Sequence, residues 1–175
     1  SHFAFGKHQV RRELLRAGSS MITGAYVYAN LVGNEAGRAI YDGDTMIGQE
    51  GKVIASGSRF SYHDVVVTTA VVDVCQADSG DCVEHDFSFQ NHETVHSVSE
   101  CSVDAWELSE FLKEEEFARA LGLALFDYMR KSHSQGFVLS LSGGADSATV
   151  AILIRLMVEF AIVDLGAAPM AERLQ

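Results

Sequence analysis

The chain has 175 residues, of which 47% are hydrophobic and one is proline, with a formal net charge of −11 at pH 7. That length suits one large domain or two small ones, and the apolar share excludes disorder over most of it. The charge excludes a polyanion such as nucleic acid as a partner across the whole surface. It does not exclude a nucleotide, whose phosphates need only local donors.

No signal peptide is visible at the start. The most apolar run, residues 148–165, is interrupted by Arg155, Glu159 and Asp164. Central charges cost about 2.5–3.5 kcal/mol each in a membrane, so no membrane span and no membrane partner are expected. The odd cysteine number (Cys75, Cys82 and Cys101) gives no disulfide framework, and reduced thiols in a cytoplasmic protein are the plain reading. The chain opens on Ser1 within a mid-protein pattern and is expected to be an internal segment of a longer protein.

Residues 7–16 carry Lys7, Arg11, Arg12 and Arg16 around Val10, Leu14 and Leu15, a helical period with the basic residues read as a solvated face. Residues 25–29, Ala-Tyr-Val-Tyr-Ala, suit a strand, with Tyr26 and Tyr28 as sheet packing rather than ligand stacking. A glycine-punctuated loop follows through Gly33, Gly37 and Gly43. Residues 46–49 and 52–56 flank Glu50-Gly51, a hairpin signal. The near-continuous apolar run 65–74 predicts a strand covered on both faces.

Residues 76–105 change character, gathering acidic residues, Ser and His with little periodicity, and are read as a linker or surface excursion. His92 and His96 would share one face of a helix, and with Cys82 and His85 they invite a metal reading. No second ligand pair has structural-zinc spacing, which favours a polar linker. None of the three cysteines has the electropositive setting and positioned base that a nucleophile needs.

A helix is predicted over 114–132. Glu114, Glu115 and Glu116 suit its N-terminus, and Phe117, Leu121, Leu125 and Met129 its buried face. Arg130, Lys131 and His133 suit its end, and Gly136 its stop. Residues 137–141 predict a short strand. The helix over 148–165 is apolar nearly all round, a pattern that needs neighbours on several sides. Where those neighbours are missing, exposed apolar surface and self-association are expected.

Between that strand and that helix stands Ser142-Gly143-Gly144-Ala145-Asp146-Ser147. Two glycines can take backbone angles closed to other residues, so that successive N–H groups converge on one point. The following helix adds unpaired N–H groups and the positive end of its dipole. Ser142 and Ser147 add hydroxyls. A tight turn with Ser142 or Asp146 as a helix cap would explain any one of these residues but not the set. A carboxylate beside a phosphate repels it unless a cation lies between, so Asp146 is read as acting through Mg²⁺, a hard ion that prefers oxygen ligands. No Lys follows the glycines, which separates the loop from the Walker A type.

The loop resembles the pyrophosphate-binding loop of the ATP pyrophosphatase superfamily. On that resemblance ATP is the phosphate donor, and Ser140, Leu141, Ser142, Gly143, Gly144, Ala145, Asp146 and Ser147 hold its phosphates, with Asp146 on Mg²⁺. The helix in front, from Glu114-Glu115-Glu116-Phe117 through Asp127-Tyr128-Met129-Arg130 to Gln135-Gly136-Phe137, resembles the one leading into this loop in glutamine-dependent NAD synthetases. Tyr28-Ala29-Asn30-Leu31-Val32-Gly33, Tyr41-Asp42-Gly43, Gly51, Gly57 and Arg59-Phe60-Ser61 are similar to the nitrilase-type amidase domain of that family.

The resemblance implies an α/β chain. Residues 1–75 would be the C-terminal part of a nitrilase-like α-β-β-α sandwich and 76–105 a linker. Residues 106–175 would be the first helix-strand-loop-helix of a Rossmann-like ATP pyrophosphatase domain, of the adenine nucleotide alpha hydrolase type. It implies a homo-oligomeric ligase that adenylylates deamido-NAD and aminates it with ammonia from glutamine. In the family a Ser and a basic residue six positions later contact glutamine, and Ser1 and Lys7 match that spacing, although Arg is the commoner basic residue. The family's glutaminase Cys, Glu and Lys belong upstream of Ser1, so the isolated chain is expected to be inactive. Two alternatives stay open: an amidoligase of the same build acting on another acid, and a structural segment without activity.

Overall fold

The computed structural model describes residues 1–35, 37–72 and 103–174. Helix α1 spans Lys7–Ser20, followed by strands β1 Ala25–Ala29, β2 Val32–Glu35, β3 Ala39–Asp42, β4 Thr45–Gln49 and β5 Lys52–Ser56. After a 3-10 turn at Ala105–Leu108 come helices α2 Leu112–Ser132, α3 Ala145–Leu165 and α4 Ala167–Arg173. The chain is thus mixed α/β, with two small antiparallel sheets and four helices among the described residues.

The first sheet has the order β1-β4-β5. Its hairpin turns at Glu50 and Gly51, both with positive φ (51° and 75°), as a two-residue turn between right-twisted strands requires. Helix α1 lies on this sheet and buries His8, Arg11, Leu15 and Ser19, one residue per turn. Leu15 packs where Gly48 leaves room; a side chain there would overlap it. The expected solvated basic face is corrected here. Arg11 points inward, while Val10 and Leu14 are exposed.

The expected glycine loop before β4 contains a second hairpin, β2–β3, with Val32 opposite Asp42 and Glu35 opposite Ala39. Its support comes from far along the chain. Asp127 of α2 accepts the Asn34 N–H at 2.7 Å, the Ala124 carbonyl accepts the Asn34 side-chain amide at 3.2 Å, and Lys131 donates to the Asn34 carbonyl. Gly33 (φ 109°) lies so close to Asp127 that a Cβ would overlap its carboxylate.

Two expected strands do not form among the described residues. Residues 65–72 form no backbone ladder, and Val65, Val67 and Val71 are exposed. The Thr68 and Thr45 hydroxyls meet at 2.6 Å, but no described backbone pairs with this stretch. Residues 73 and 74 of that expectation lie outside the described residues. The 137–141 strand likewise has no hydrogen-bonded neighbour among the described residues, and Val138 and Leu141 are exposed. A strand exists only through its partner's hydrogen bonds, and apolar residues alone do not supply one.

The main core joins Phe60 and Tyr62 to Ala120, Leu123 and Phe126 of α2, Met157 and Ala161 of α3, and Met170 of α4. Burying a side chain such as Phe126 contributes about 1.5–3 kcal/mol. The inward face of α2 differs from the expected one: Glu116, Ala120, Leu123, Phe126 and Asp127 are buried, Met129 is shared, and Phe117 is exposed. Small Ala120 and Gly122 let α3 approach; a Cβ on Gly122 would lie 3.5 Å from Met157 Cα. The helix ends at His133 in the left-handed conformation (φ 54°), three residues before Gly136. Helix α3 begins at Ala145, so Asp146 and Ser147 fall within its first turn. It buries Met157 and Ala161 and leaves Val150, Ile152, Ile162 and Val163 exposed. Among the described residues it is covered on one side, not on several.

Candidate functional site

The loop between residues 140 and 147 stands open to solvent at the N-terminus of α3. Gly143 takes φ 79° and has nothing within 4 Å of where a Cβ would be. Gly144, the residue before the helix, is extended (φ −83°, ψ 163°). A left-handed residue followed by an extended one turns the chain sharply and brings it straight into the helix. No side chain caps α3. The Ala148 N–H bonds back to the Gly144 carbonyl at 3.2 Å, and the Ala145, Asp146 and Ser147 amides find no acceptor among the described residues.

The two serines meet across the turn. Ser142 Oγ and Ser147 Oγ are 3.3 Å apart, Ser147 Oγ donates to the Gly144 carbonyl at 3.1 Å, and the Gly144 N–H reaches Ser142 Oγ at 3.4 Å. The last is at the long limit of a hydrogen bond, so an anion could displace that hydroxyl at small cost. The Ser142 and Ser147 hydroxyls, three amides without an acceptor among the described residues and the positive end of a 21-residue helix thus lie together at this exposed turn. Ser140 and Leu141 lie in the exposed approach to it.

Asp146 sits in the first turn of α3, where the helix dipole favours a negative side chain. Among the described residues no three His, Cys, Asp or Glu side chains gather as a metal cluster. Asp146 is thus the protein carboxylate at this turn that would hold a cation, and hard ions such as Mg²⁺ accept such an oxygen donor. The Cys82, His85, His92 and His96 group, Cys75 and Cys101 lie outside the described residues.

Ser1 and Lys7 make no hydrogen bond to each other or to the loop. The Lys7 ammonium donates to the His2 carbonyl at 2.9 Å. Ser1 is held instead by Arg11, whose Nη2 donates to its carbonyl at 3.1 Å and to its hydroxyl at 3.2 Å, and by Asn30, whose Nδ2 donates to its carbonyl at 2.9 Å.

Three sets of polar contacts bind residues 58–64 to the helices. Arg59 donates from Nε to Glu107 at 3.0 Å and from Nη1 to Glu116 at 2.8 Å. Burial works against its charge, but the two glutamates outweigh that and hold its pKa above the ordinary value. Asp164 of α3 accepts the Ser61 hydroxyl at 2.9 Å and the Tyr62 N–H at 2.6 Å. Asp64 pairs with Arg130 of α2 at 2.5 Å and Arg173 of α4 at 3.1 Å. A cavity of about 730 Å³ opens beside these contacts, lined among others by Arg59, Tyr62, Trp106, Arg119 and Phe160. Arg119 lies 4.7 Å over the Trp106 ring and 4.5 Å over Phe160. Burial raises the Tyr62 phenol pKa strongly, and its hydroxyl has no partner among the described residues. Sequence reasoning missed the inward roles of Arg11, Arg59 and Glu116. The only local hint was a charged residue next to apolar ones, as in Arg59-Phe60.

The NAD synthase family model matches residues 117–166, which run from the second turn of α2 through the glycine loop to the end of α3. Over nearly its whole length the chain is similar to glutamine-dependent NAD(+) synthetases. It is 33% identical over 179 residues to that of Oryza sativa subsp. indica, covering 94% of this chain and 24% of the relative. It is 33% identical over 174 residues to that of Homo sapiens, covering 90% and 24%. The crystal structure of a glutamine-dependent NAD(+) synthetase from Cytophaga hutchinsonii superposes with a TM-score of 0.73 at 38% identity, covering 99% of this chain and 24% of that one. The Acinetobacter baumannii enzyme, solved with ADP, shares the fold at a TM-score of 0.58 and 20% identity.

The chain is a partial homologue of the glutamine-dependent NAD(+) synthetases. It spans about a quarter of the length of the curated relatives it matches. Among the described residues no helix is long and apolar enough to cross a membrane.

Proposed function

We propose that this chain contributes the phosphate-binding loop and part of the glutaminase scaffold of an ATP-dependent ligase that converts deamido-NAD to NAD with ammonia from glutamine. The observation that carries the reading is the open glycine turn at the uncapped N-terminus of α3, with the Ala145, Asp146 and Ser147 amides free. It is supported by the family match, which spans this turn, and by the similarity of the whole chain to glutamine-dependent NAD(+) synthetases. On this reading residues 1–75 belong to a nitrilase-like α-β-β-α sandwich, 76–105 link, and 106–175 open a Rossmann-like ATP pyrophosphatase domain.

The chemistry fits the residues present. A carboxylate oxygen of deamido-NAD attacks the α-phosphorus of ATP, and pyrophosphate leaves. Ammonia then attacks the activated carbonyl, and AMP leaves with the electron pair of the broken C–O bond. The Gly143–Gly144 turn, the first-turn amides and the hydroxyls of Ser142 and Ser147 hold the β- and γ-phosphates, so charge that develops on the departing pyrophosphate meets donors already oriented. When bound, Mg²⁺ would supply charge neutralisation, and the Asp146 carboxylate would be the protein group that holds it. Ser140 and Leu141 bring the chain into the turn. Ser1 and Lys7 belong to the glutamine end. The parent enzyme is read as a cytoplasmic homo-oligomer.

The test uses the full-length protein that carries this sequence. Asp146→Asn is expected to abolish deamido-NAD-dependent ATP–pyrophosphate exchange while glutamine hydrolysis stays measurable. Unchanged pyrophosphate release would remove Asp146 from the mechanism. Exchange driven equally by unrelated carboxylates would replace deamido-NAD with another acid.

A further inference from the structure

We propose that Arg11 is a positioning residue of the glutamine site: a buried charged cluster behind Ser1 fixes the direction of its hydroxyl. This rests on the reading above, in which Ser1 meets the amino-acid end of glutamine.

The cluster lies between α1 and the β3–β4 connection. Arg11 Nη1 donates to Asp42 Oδ2 at 2.6 Å and to Asp44 Oδ2 at 3.1 Å. His8 Nδ1 lies 3.0 Å from the same Asp44 oxygen. The side chains of Arg11, Asp42 and Asp44 are 7%, 1% and 0% exposed. Taking such ions out of water costs several kcal/mol each, and apolar side chains of the same volume would hold α1 on the sheet at least as well. A buried ion cluster is thus weak evidence of a stabilising role against apolar replacements, and we assign this one to fixing the guanidinium.

That guanidinium has one arm that leaves the carboxylates. Arg11 Nη2 donates to both the carbonyl and the hydroxyl of Ser1, an exposed residue. A second donor grips the same residue: Asn30 Nδ2 reaches the Ser1 carbonyl at 2.9 Å and is itself anchored on Asp42 Oδ1 at 2.7 Å. Both donors that hold Ser1 are thus fixed on the one buried carboxylate of Asp42. Because Ser1 Oγ accepts from a cation, its own proton is left available to donate to a ligand oxygen. Lys7, the basic residue at the expected spacing, donates to the His2 carbonyl and not to Ser1. The cation behind the hydroxyl is four residues further along the same helix.

A structural role alone would disturb folding and both activities together. A positioning role acts through Ser1 and shows as a split between substrates. In the full-length protein, glutamine hydrolysis and ammonia-driven amination are measured for Ser1→Ala, Arg11→Lys, the double variant and Asn30→Ala. Loss of one oriented, charge-assisted hydrogen bond predicts a KM for glutamine raised about tenfold in Ser1→Ala and in Arg11→Lys. The double variant is expected to be no worse than Ser1→Ala, and ammonia-driven amination to be unchanged by Arg11→Lys. Effects that multiply in the double variant, to about a hundredfold, would overturn the inference and leave the Ser1 assignment standing. A KM unmoved by Ser1→Ala would remove that assignment and this inference with it. Equal losses in both activities for Arg11→Lys would make the cluster merely structural. Should Arg11→Lys fail to fold by circular dichroism, half-buried Asn30 carries the test in Arg11's place: a raised glutamine KM in Asn30→Ala, absent on a Ser1→Ala background, supports it, and an unchanged KM overturns it.

Discussion

Replacing Arg59 by Leu should be among the most damaging single changes to the assembly of the core. Its side chain is 2% exposed and that of Glu116 is 4% exposed, with Glu107 at 13%. Removing the guanidinium leaves Glu116 buried without a counter-charge, a situation that costs about 3–5 kcal/mol. The Arg59 cation also lies 4.9 Å from the Trp106 ring and 5.4 Å from Phe60, contacts worth up to about 2 kcal/mol when desolvated. Against a total stability of about 5–15 kcal/mol, the loss is a large fraction. For a chain of this size about 3–5 kcal/mol lowers Tm by roughly 6–20 °C. The single tryptophan, Trp106, reports directly, so urea unfolding followed by its fluorescence is the assay. Arg155→Ala, which opens an exposed α3 pair at 2.7 Å with 79% and 48% side-chain exposure, should leave the midpoint unmoved and serves as the control. A loss for Arg59→Leu below about 1 kcal/mol, the range of surface ion pairs, would refute the reasoning.

Gly33→Ala should destabilise by about 1–3 kcal/mol, because it combines φ 109° with overlap on the Asp127 carboxylate that holds Asn34. Gly24→Ala, with φ 141° and open space, should cost less in the same urea unfolding assay. The pH dependence follows from Asp44. Burial alone would raise its pKa, but His8 and Arg11 outweigh burial and hold it below the ordinary 3.8. Its contribution is therefore complete above that value and is lost as pH falls through the lower folded-state pKa. Acid titration of stability should flatten in that window for Asp44→Asn, and an unchanged acid limb would contradict the assignment. The exposed Val150, Ile152, Ile162 and Val163 predict that the isolated 175-residue chain self-associates in sedimentation, and a monodisperse monomer would count against it.

Local chemistry made several elements legible. Strand β1, the β4–β5 hairpin and helices α2 and α3 follow from alternation, turn residues and helical period, each complete within a short stretch. The loop at Gly143 and Gly144 was legible for the same reason. Features that depend on distant partners were not. The β2–β3 hairpin has weak strand formers, Gly33 and Asn34, and owes its place to a carboxylate 93 residues away. Arg11 reads as solvated until Asp42 and Asp44, 31 and 33 residues on, are folded over it. The inward face of α2 does not follow its apolar stripe: of Phe117, Leu121, Leu125 and Met129, only Met129 is buried. Glu116 is drawn inward by Arg59, and the small residues Ala120 and Gly122 admit α3. Residues 65–72 and 137–141 have strand-like composition, but composition cannot supply a neighbouring backbone.

Hydrogen exchange at the amides of Ala145, Asp146 and Ser147 tests the central claim most directly. In the full-length protein without ligand these amides should exchange freely, since nothing among the described residues accepts them. Saturation with Mg–ATP should protect all three, and pyrophosphate with Mg²⁺ should do the same. Bound nucleotide with those three amides still exchanging at their free rate would place the phosphates elsewhere and contradict the account.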